Sequence, residues 1–179
     1  MKILLASDIH GSIAAARLIV KLCSEGQAHL VVLLGDLLCC GSYSSEYDGL
    51  LTAEILSEIS LPVLAVRGNC DSTSDLAALP WYAAESAWLP LKSAAPFLVI
   101  HGHQMRDVDR VAGYGREIDV ICGHTHVAMA ERGPRGRRWN PGSLGDPQLG
   151  DPATYGLYDD GVFRVLSVDG QLVCEDRLP

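Results

Sequence analysis

Residues 2–10 read KILLASDIH, and this stretch decides the fold. The apolar run from Lys2 to Ser7 is typical of a short strand buried on both faces, as strands of a parallel sheet are. Asp8 and His10 follow it directly. The stretch therefore predicts a central strand that carries, at its carboxyl end, polar side chains that can bind a ligand or take part in catalysis.

Strands and helices alternate through the next part of the chain. The apolar pattern predicts, in order, a helix, a strand, a helix and a strand over Ser12 to Ser24, Leu30 to Leu34, Glu46 to Ile59 and Leu61 to Val66. This alternation indicates a parallel sheet with right-handed crossovers, whose ligand site lies beyond the carboxyl ends of the strands. Asp8, Asp36 and Asn69 all stand at such ends.

The remainder of the chain predicts a second set of strands. A polar stretch from Asp71 to Pro80, in which Ser72, Ser74 or Asp75 can cap a short helix, precedes it. Further strands are expected over Ala87 to Leu91, Pro96 to Ile100, Asp119 to Cys122, Val127 to Glu131 and Arg137 to Asn140, with a short helix over Val108 to Gly115.

The C-terminal part changes character to an antiparallel meander. Asp-Gly pairs at 160–161 and 169–170 are the strongest short hairpin signal, and they separate strands over Tyr155 to Tyr158, Val162 to Val168 and Leu172 to Glu175. We therefore expect a single α/β domain over residues 1–179, in which two sheets form a β-sandwich flanked by helices.

The composition is that of an ordinary globular protein of 179 residues, with 48% hydrophobic residues and a net charge of −8. The acidic balance argues against specific nucleic-acid binding and against binding to anionic membranes. No segment approaches the roughly 18–20 apolar residues of a membrane span, and no signal peptide is seen, so we expect a cytoplasmic protein. The six cysteines are irregularly spaced and are expected to be free.

Carboxylate, carboxamide and imidazole side chains follow five of the strand-like runs. Seven of them are candidate metal ligands: Asp8, His10, Asp36, Asn69, His101, His124 and His126. This mixed set suits Mn, Fe, Zn, Co or Ni better than Ca or Mg. Seven donors are too many for one tetrahedral zinc, but they suit two metals roughly 3.5–4 Å apart that share a carboxylate.

The motifs resemble, in the correct order, the signature blocks of the calcineurin-like metallophosphoesterase superfamily and its small prokaryotic phosphodiesterase branch. They are Asp8-x-His10, Gly35-Asp36, Gly68-Asn69-Cys70-Asp71, His101-Gly102-His103, Gly123-His124-Thr125-His126 and Asn140-Pro141-Gly142-Ser143. The resemblance implies a four-layer αββα fold. It also implies a small phosphoester substrate, with hydrolysis of phosphodiesters as the leading expectation.

The same resemblance implies a ligand assignment and a mechanism. Asp8, His10, Asp36 and His126 would hold one metal, and Asp36, Asn69, His101 and His124 the other, so that Asp36 is the bridge. A hydroxide bridging two divalent ions would attack phosphorus, with manganese as the expected metal and iron, zinc, nickel or cobalt as alternatives. Asp36, Asn69 and His103 would be the residues closest to the chemistry.

Two positions depart from the family pattern. Cys70 stands where many relatives carry a histidine that serves as acid or phosphate contact, and His103 is a candidate to take over part of that role. The loop after Ser143 has no basic residue, whereas relatives often place one there. These departures put leaving-group protonation and phosphate clamping in doubt.

Other functions remain open at this point. The same centre could serve a phosphomonoesterase or nucleotidase, and a similar domain in the eukaryotic retromer complex works mainly as a protein-binding scaffold. A homo-oligomer, for example a dimer through strands near Trp88, is left open as well.

Several residues are expected to be structural. We expect Asp71 to be a cap or a hydrogen-bond acceptor and His29 to lie on the surface. We also expect a solvated hairpin tip to carry Arg132, Arg135, Arg137 and Arg138. Core or rim packing is expected for Trp81, Tyr82 and Trp88.

Overall fold

The computed structural model describes residues 1–39, 45–92, 95–112 and 115–179, with residues 111 and 112 described by their backbone alone. Its helices are α1 (Ile13–Ser24), α2 (Gly49–Leu56), α3 (Thr73–Leu76) and α4 (Met105–Ala112). Its strands are β1 (Ile3–Ala6), β2 (Leu30–Leu33), β3 (Val63–Val66), β4 (Ala83–Ala84), β5 (Ala87–Leu89), β6 (Phe97–Val99), β7 (Val120–Ile121), β8 (Ala128–Gly133), β9 (Gly136–Pro141), β10 (Thr154–Asp159), β11 (Val162–Ser167) and β12 (Leu172–Arg177).

Seven strands form the first sheet in the order β12-β11-β10-β1-β2-β3-β4. Strands β1 to β4 run parallel, and the C-terminal meander joins them through an antiparallel pairing of β10 with β1. In the register of this sheet, Ile3 of β1 pairs with Leu30 of β2 on one side and with Tyr158 of β10 on the other. The predicted parallel half and the predicted meander are both confirmed.

Five strands form the second sheet in the order β5-β6-β7-β9-β8. The three inner strands β6, β7 and β9 are parallel, and the two edge strands β5 and β8 are antiparallel to their neighbours. The carboxyl ends of β6 and β7 deliver the segments that begin at His101 and at Gly123.

Apolar side chains fill three layers and fix the four-layer arrangement. Trp139, Phe97 and Phe163 are fully buried between the sheets, and the rings of Trp139 and Phe163 stack with centroids 4.6 Å apart. Helices α1 and α2 cover the outer face of the first sheet, while α4 covers part of the second sheet's outer face around Val120. The expected αββα sandwich is confirmed.

Polar caps set the helix boundaries. The Ser12 hydroxyl accepts a hydrogen bond from Ala15 N at the start of α1, as expected, and Ser72 forms a capping box with Asp75 at the start of α3. Helix α2 begins later than predicted because Asp48 is its N-cap and accepts from Leu51 N.

Other elements and boundaries also differ from the sequence prediction. Helix α4 begins at Met105, three residues before the predicted start, and residues 113 and 114 of the predicted helix lie outside the described part of the chain. Strand β5 ends before Pro90, which has no N–H to donate. The short strand β4, which no pattern announced, pairs with Ala65 and Val66.

The predicted solvated arginine tip is wrong for two of its four members. Arg137 is buried, and its Nε donates to Asp176 Oδ2 at 2.9 Å, which ties β9 to β12. Arg138 donates to Asp109 Oδ1 at 3.0 Å and so joins the hairpin to α4. Arg132 and Arg135 are exposed, as expected.

The predicted packing of three aromatic residues holds for Trp81 alone, which packs against the core beneath α1 and α2. Tyr82 is 85% exposed and Trp88 is 57% exposed. Both lie on or beside edge strands, where a side chain has solvent rather than a second layer on one side.

Two further expectations concern thiols and membranes. Free thiols are found at Cys23, Cys70, Cys122 and Cys174, as predicted. Within the described ranges, no helix has the length and apolar character that crossing a bilayer requires.

Candidate metal centre

Loops at the carboxyl ends of five strands, three from the first sheet and two from the second, converge at one mouth of the sandwich. Backbone hydrogen bonds hold the loops together: His10 N donates to Asp36 O at 2.9 Å, and Gly123 N donates to His101 O at 2.7 Å. Asp8 N donates to Gly35 O at 3.1 Å. The side chains predicted from the sequence are therefore brought to one place by main-chain contacts.

The backbone at this mouth is strained. Among the described residues, six that are not glycine have positive φ, and five of these are candidate ligands: Asp8 (51°), His10 (50°), Asp36 (52°), His124 (69°) and His126 (59°). A non-glycine residue in this region costs of order 1 kcal/mol or more, and such residues cluster at functional sites. The left-handed backbone turns these side chains toward one another.

Glycines allow the loops to approach so closely. A Cβ atom at Gly68 would lie 2.0 Å from Asp36 Oδ1, and one at Gly123 would lie 1.7 Å from Ser7 Oγ. Neither position can carry a side chain without moving the loop that faces it. The glycine that precedes each of these ligand segments is thus explained by packing.

Two groups of ligand atoms form around the two carboxylates. Around Asp8, its Oδ1 lies 3.4 Å from His126 Nε2 and 3.9 Å from His10 Nε2. Around Asp36, its Oδ2 lies 3.3 Å from His101 Nε2, and an atom of His124 completes a group whose members are all within 4.8 Å of one another.

Asp36 also connects the two groups. Its Oδ2 lies 3.8 Å from His10 Nε2. One carboxylate oxygen therefore faces imidazoles of both groups, which is the position that a bridging ligand requires.

Main-chain carbonyls fix the orientation of three imidazoles. His10 Nδ1 lies 2.9 Å from Cys39 O, His101 Nδ1 lies 2.7 Å from Leu34 O, and His126 Nδ1 contacts Asp146 O. A carbonyl accepts and cannot donate, so Nδ1 carries a hydrogen and Nε2 of each ring faces the site. Such backbone partners commonly orient metal-binding histidines.

Asp8 provides the test of whether the residues fit a cation. Its side chain is fully buried, Oδ2 accepts from His124 N at 3.0 Å, and among the described residues no donor hydrogen-bonds to Oδ1. A buried carboxylate oxygen without a donor is costly unless a positive charge compensates it. The donor set therefore fits divalent cations.

Mutual electrostatics shift the pKa values of the site. Burial alone would raise the pKa of Asp36, but the imidazole of His101, the N–H of Cys70 and the imidazole of His10 outweigh it and lower the pKa to about 2. The Asp8 carboxylate raises the pKa of His126 to about 9, against the opposing effect of burial. The site thus favours a full carboxylate charge at Asp36.

Asn69 and His103 lie at the rim of the site. Asn69 is exposed, and its Oδ1 lies 3.0 Å from His101 Nε2. His103 is also exposed, with its ring centroid 5.6 Å from that of His101 and 6.2 Å from that of His124. All eight predicted site residues are therefore neighbours.

Asp71 ties two ligand loops together. Its carboxylate accepts from the backbone N–H groups of Asp36 and Leu37 at 2.8 Å each and from Gly68 N at 2.9 Å. The expectation of a hydrogen-bond acceptor is confirmed. The neighbouring Cys70 N donates to Asp36 Oδ1 at 2.8 Å, and burial followed by the Asp36 charge raises the pKa of the Cys70 thiol to about 11.

Two supporting residues had no role in the sequence-based assignment. Ser143 Oγ donates to Asp8 O at 2.8 Å, and Asn140 Nδ2 donates to Gly123 O at 2.9 Å. They hold the segments that carry Asp8 and His124. Their Asn-Pro-Gly-Ser block was visible in the sequence, but a contact across 135 residues is not.

Comparisons with known proteins identify the family of this chain. The calcineurin-like phosphoesterase superfamily domain matches residues 1–160. Phosphodiesterase YfcE of Escherichia coli K12 is 32% identical over 176 residues, which are 97% of this chain and 95% of that protein.

Solved structures give the same result. That of YfcE, a phosphoesterase from E. coli, superposes with a TM-score of 0.84 at 30% identity and covers 100% of both chains. An archaeal phosphodiesterase has a TM-score of 0.72 at 20% identity over 94% of this chain and 100% of its own, a likeness that concerns the fold. With its first 160 residues matched and a relative at 32% identity along nearly its whole length, the chain belongs to the calcineurin-like phosphoesterase superfamily.

Proposed function

We propose that this protein is a metal-dependent phosphoesterase that hydrolyses phosphodiesters, and that residues 1–179 form one such domain. The observation that carries the proposal is the position of Asp36 Oδ2, which faces His10 of one ligand group at 3.8 Å and His101 of the other at 3.3 Å. A single oxygen shared by two groups of donors is what a dinuclear centre needs.

The proposed ligands divide as the two groups do. Asp8, His10, Asp36 and His126 hold one divalent cation, and Asp36, Asn69, His101 and His124 hold the other. Manganese is the expected ion, and iron, zinc, nickel and cobalt suit the same mixture of oxygen and nitrogen donors. When bound, such cations lower the pKa of water toward neutrality and offset the charge on phosphoryl oxygens.

The protein's own residues position these parts. Asp71 and Ser143 hold the loops of Asp36 and Asp8 in their strained conformations, so the carboxylates need no rearrangement during reaction. Asn69 and His103 lie on the open side of the site, where they can donate hydrogen bonds to a substrate phosphoryl group. His103 is the residue we propose for protonating the leaving group, since Cys70 holds its proton too tightly to be matched to neutral pH.

The charges around the centre favour a diester over a monoester. A phosphate monoester carries a charge near −2 at pH 7, whereas a diester carries −1. Residues 144–152 contain no lysine or arginine, and the Asp146 carboxylate lies 3.8 Å from His126 Nδ1. The extra charge of a monoester therefore has no basic partner from this loop.

The test is hydrolysis of an aryl phosphodiester and its matching monoester by metal-stripped protein, titrated separately with manganese, zinc, nickel and magnesium. We expect metal-dependent turnover of the diester well above the monoester. His10→Ala and His124→Ala should each lower that turnover by at least roughly a hundredfold, because each removes a group that supports transition-state charge. His29→Ala, at an exposed histidine outside the site, should retain it.

Three outcomes would contradict the proposal. Activity retained in both His10→Ala and His124→Ala, with contaminating phosphatase excluded, would contradict the dinuclear centre. Absence of turnover with every metal, in protein shown to bind two ions, would favour a protein-binding scaffold, whose partner binding would survive His10→Ala. Preferred turnover of the monoester would indicate a phosphomonoesterase or nucleotidase on the same centre.

A further inference from the structure

We propose that Cys70 is an additional ligand of the metal centre, and that its sulfur raises the affinity of the centre for thiophilic cations such as zinc. This inference rests on the proposed metal centre and adds a residue to it.

The position of the sulfur relative to two proposed ligands supports this role. One ligand atom each of Cys70, His10 and Asp36 lie within 4.8 Å of one another, the same limit that the two other ligand groups meet. In a tetrahedral zinc site, sulfur at about 2.3 Å and nitrogen at about 2.0 Å from the metal are roughly 3.5 Å apart. A small contraction of this group is enough to bring all three atoms onto one cation.

Neighbouring contacts hold Cys70 where it is. Its backbone N–H donates to Asp36 Oδ1 at 2.8 Å, and Asn69 Nδ2 donates to its sulfur at 3.3 Å. The residue is half-buried, so its side chain reaches the site and is not free in solvent. Asp36 and Asn69, which make these contacts, are proposed ligands themselves.

The three ligand groups share members in a way that places Cys70 at their junction. His10 belongs to the group around Asp8, and Asp36 belongs to the group that contains His101. Cys70 is grouped with both His10 and Asp36, so its sulfur lies near one proposed ligand from each of the other two groups. Every other proposed ligand offers nitrogen or oxygen.

The chemistry of the step is ordinary coordination. The cation displaces the thiol proton as it binds: the S–H bond breaks, the proton passes to solvent, and a sulfur–metal bond forms without any change of oxidation state. Thiolate is a soft donor that selects zinc and similar ions, whereas manganese prefers carboxylate, carbonyl and water. When zinc binds through Cys70, the sulfur occupies a coordination position that a catalytic centre keeps open for water or substrate. The zinc form should therefore turn over more slowly than the manganese form.

The experiment is a titration of metal-stripped protein with cobalt(II), followed by absorption spectroscopy. We expect two cobalt ions per chain and a near-ultraviolet sulfur-to-cobalt charge-transfer band in the wild type. Cys70→Ser should lose the band and keep two ions. The double variant Cys39→Ser/Cys40→Ser is the matched control, since it removes the two thiols that follow the Asp36 loop, and it should keep the band.

A second measurement separates ligation from a change in fold. In Cys70→Ser, the affinity for zinc should fall by at least about tenfold, which is the smaller loss seen when even an orienting residue is removed. Affinity for manganese should stay within about twofold, because serine and cysteine differ little for a hard ion. A merely structural role for Cys70 would weaken both ions alike, and that result would overturn the proposal.

The remaining outcomes distinguish this inference from the proposed function. Two bound cobalt ions without a charge-transfer band would overturn the role of Cys70 and leave the metal centre standing. Failure to bind any cobalt would overturn both.

Discussion

At the scale of single residues, the site is built from backbone conformations that ordinary side chains avoid. Five of the proposed ligands have left-handed backbone conformations, and among these five His124 is exposed and has the largest φ, 69°. Since its side chain makes few packing contacts, the cost of its backbone can be measured almost alone. Strain of this kind persists because contacts with the surrounding loops hold the backbone in its conformation.

Comparison of His124→Gly with His124→Ala measures this strain. Both variants lose the imidazole and should lose activity, but metal-free His124→Gly should be more stable than His124→Ala by about 1 kcal/mol. Denaturant unfolding provides the values. Arg106 in α4 is the control, because Gly should be about 1 kcal/mol less stable than Ala at that exposed helical position. An alanine variant at 124 as stable as the glycine variant would show that the strain is absent.

At the scale of elements, the ends of β2 and β3 act as one unit because Asp71 binds both. Three backbone N–H groups converge on its carboxylate, at 2.8 to 2.9 Å. An asparagine there would offer one acceptor oxygen and turn an NH₂ group toward donors. The two loops would then lose a shared anchor while the strands beneath them remain.

Asp71→Asn should therefore lower the affinity for divalent cations by about 10–100-fold, as loss of a ligand-orienting group does. Competition against a chelating dye measures this affinity. Asp75→Asn is the control, since the Asp75 carboxylate hydrogen-bonds to Ser72 at the start of α3. Equal cation affinity in folded Asp71→Asn and wild type would show that Asp71 serves stability alone.

The sequence predicts elements well where a local pattern carries the information. The run before Asp8 and the Asp-Gly turn at 160–161 predict the parallel half and the meander, because burial and turn geometry act over a few residues. The two-residue strand β4 and the burial of Arg137 were not predictable. Each depends on a partner distant in the chain, Ala65 for β4 and Asp176 for Arg137.

The candidate site also has features that could be predicted from the sequence and features that could not. Seven donors at strand ends could be recognised because each follows an apolar run, and the structure places them together. The left-handed backbone of Asp8 and the support from Ser143 could not be recognised. They arise only when loops from different strands pack against one another.

At the scale of the whole molecule, the donors come from both sheets, so cation binding should stabilise the complete fold. At a free concentration 100-fold above Kd, a ligand of the native state adds about 2.7 kcal/mol. For a chain of this size that corresponds to a rise in Tm of about 5–10 °C. Calorimetry of metal-stripped protein with and without manganese measures the rise. The double variant His10→Ala/His124→Ala should show none, and an equal rise in that variant would place the binding elsewhere.

The short distance from Asp8 Oδ1 to His126 Nε2, 3.4 Å, joins residues 118 positions apart in the chain. Contacts between residues so far apart in the sequence form late in folding, because closing the long loop between them costs entropy. A nascent chain must therefore emerge through His126 and dock its two halves before the Asp8 group is complete. On the proposed ligand assignment, the full affinity of this group for a cation would be reached only when folding is finished.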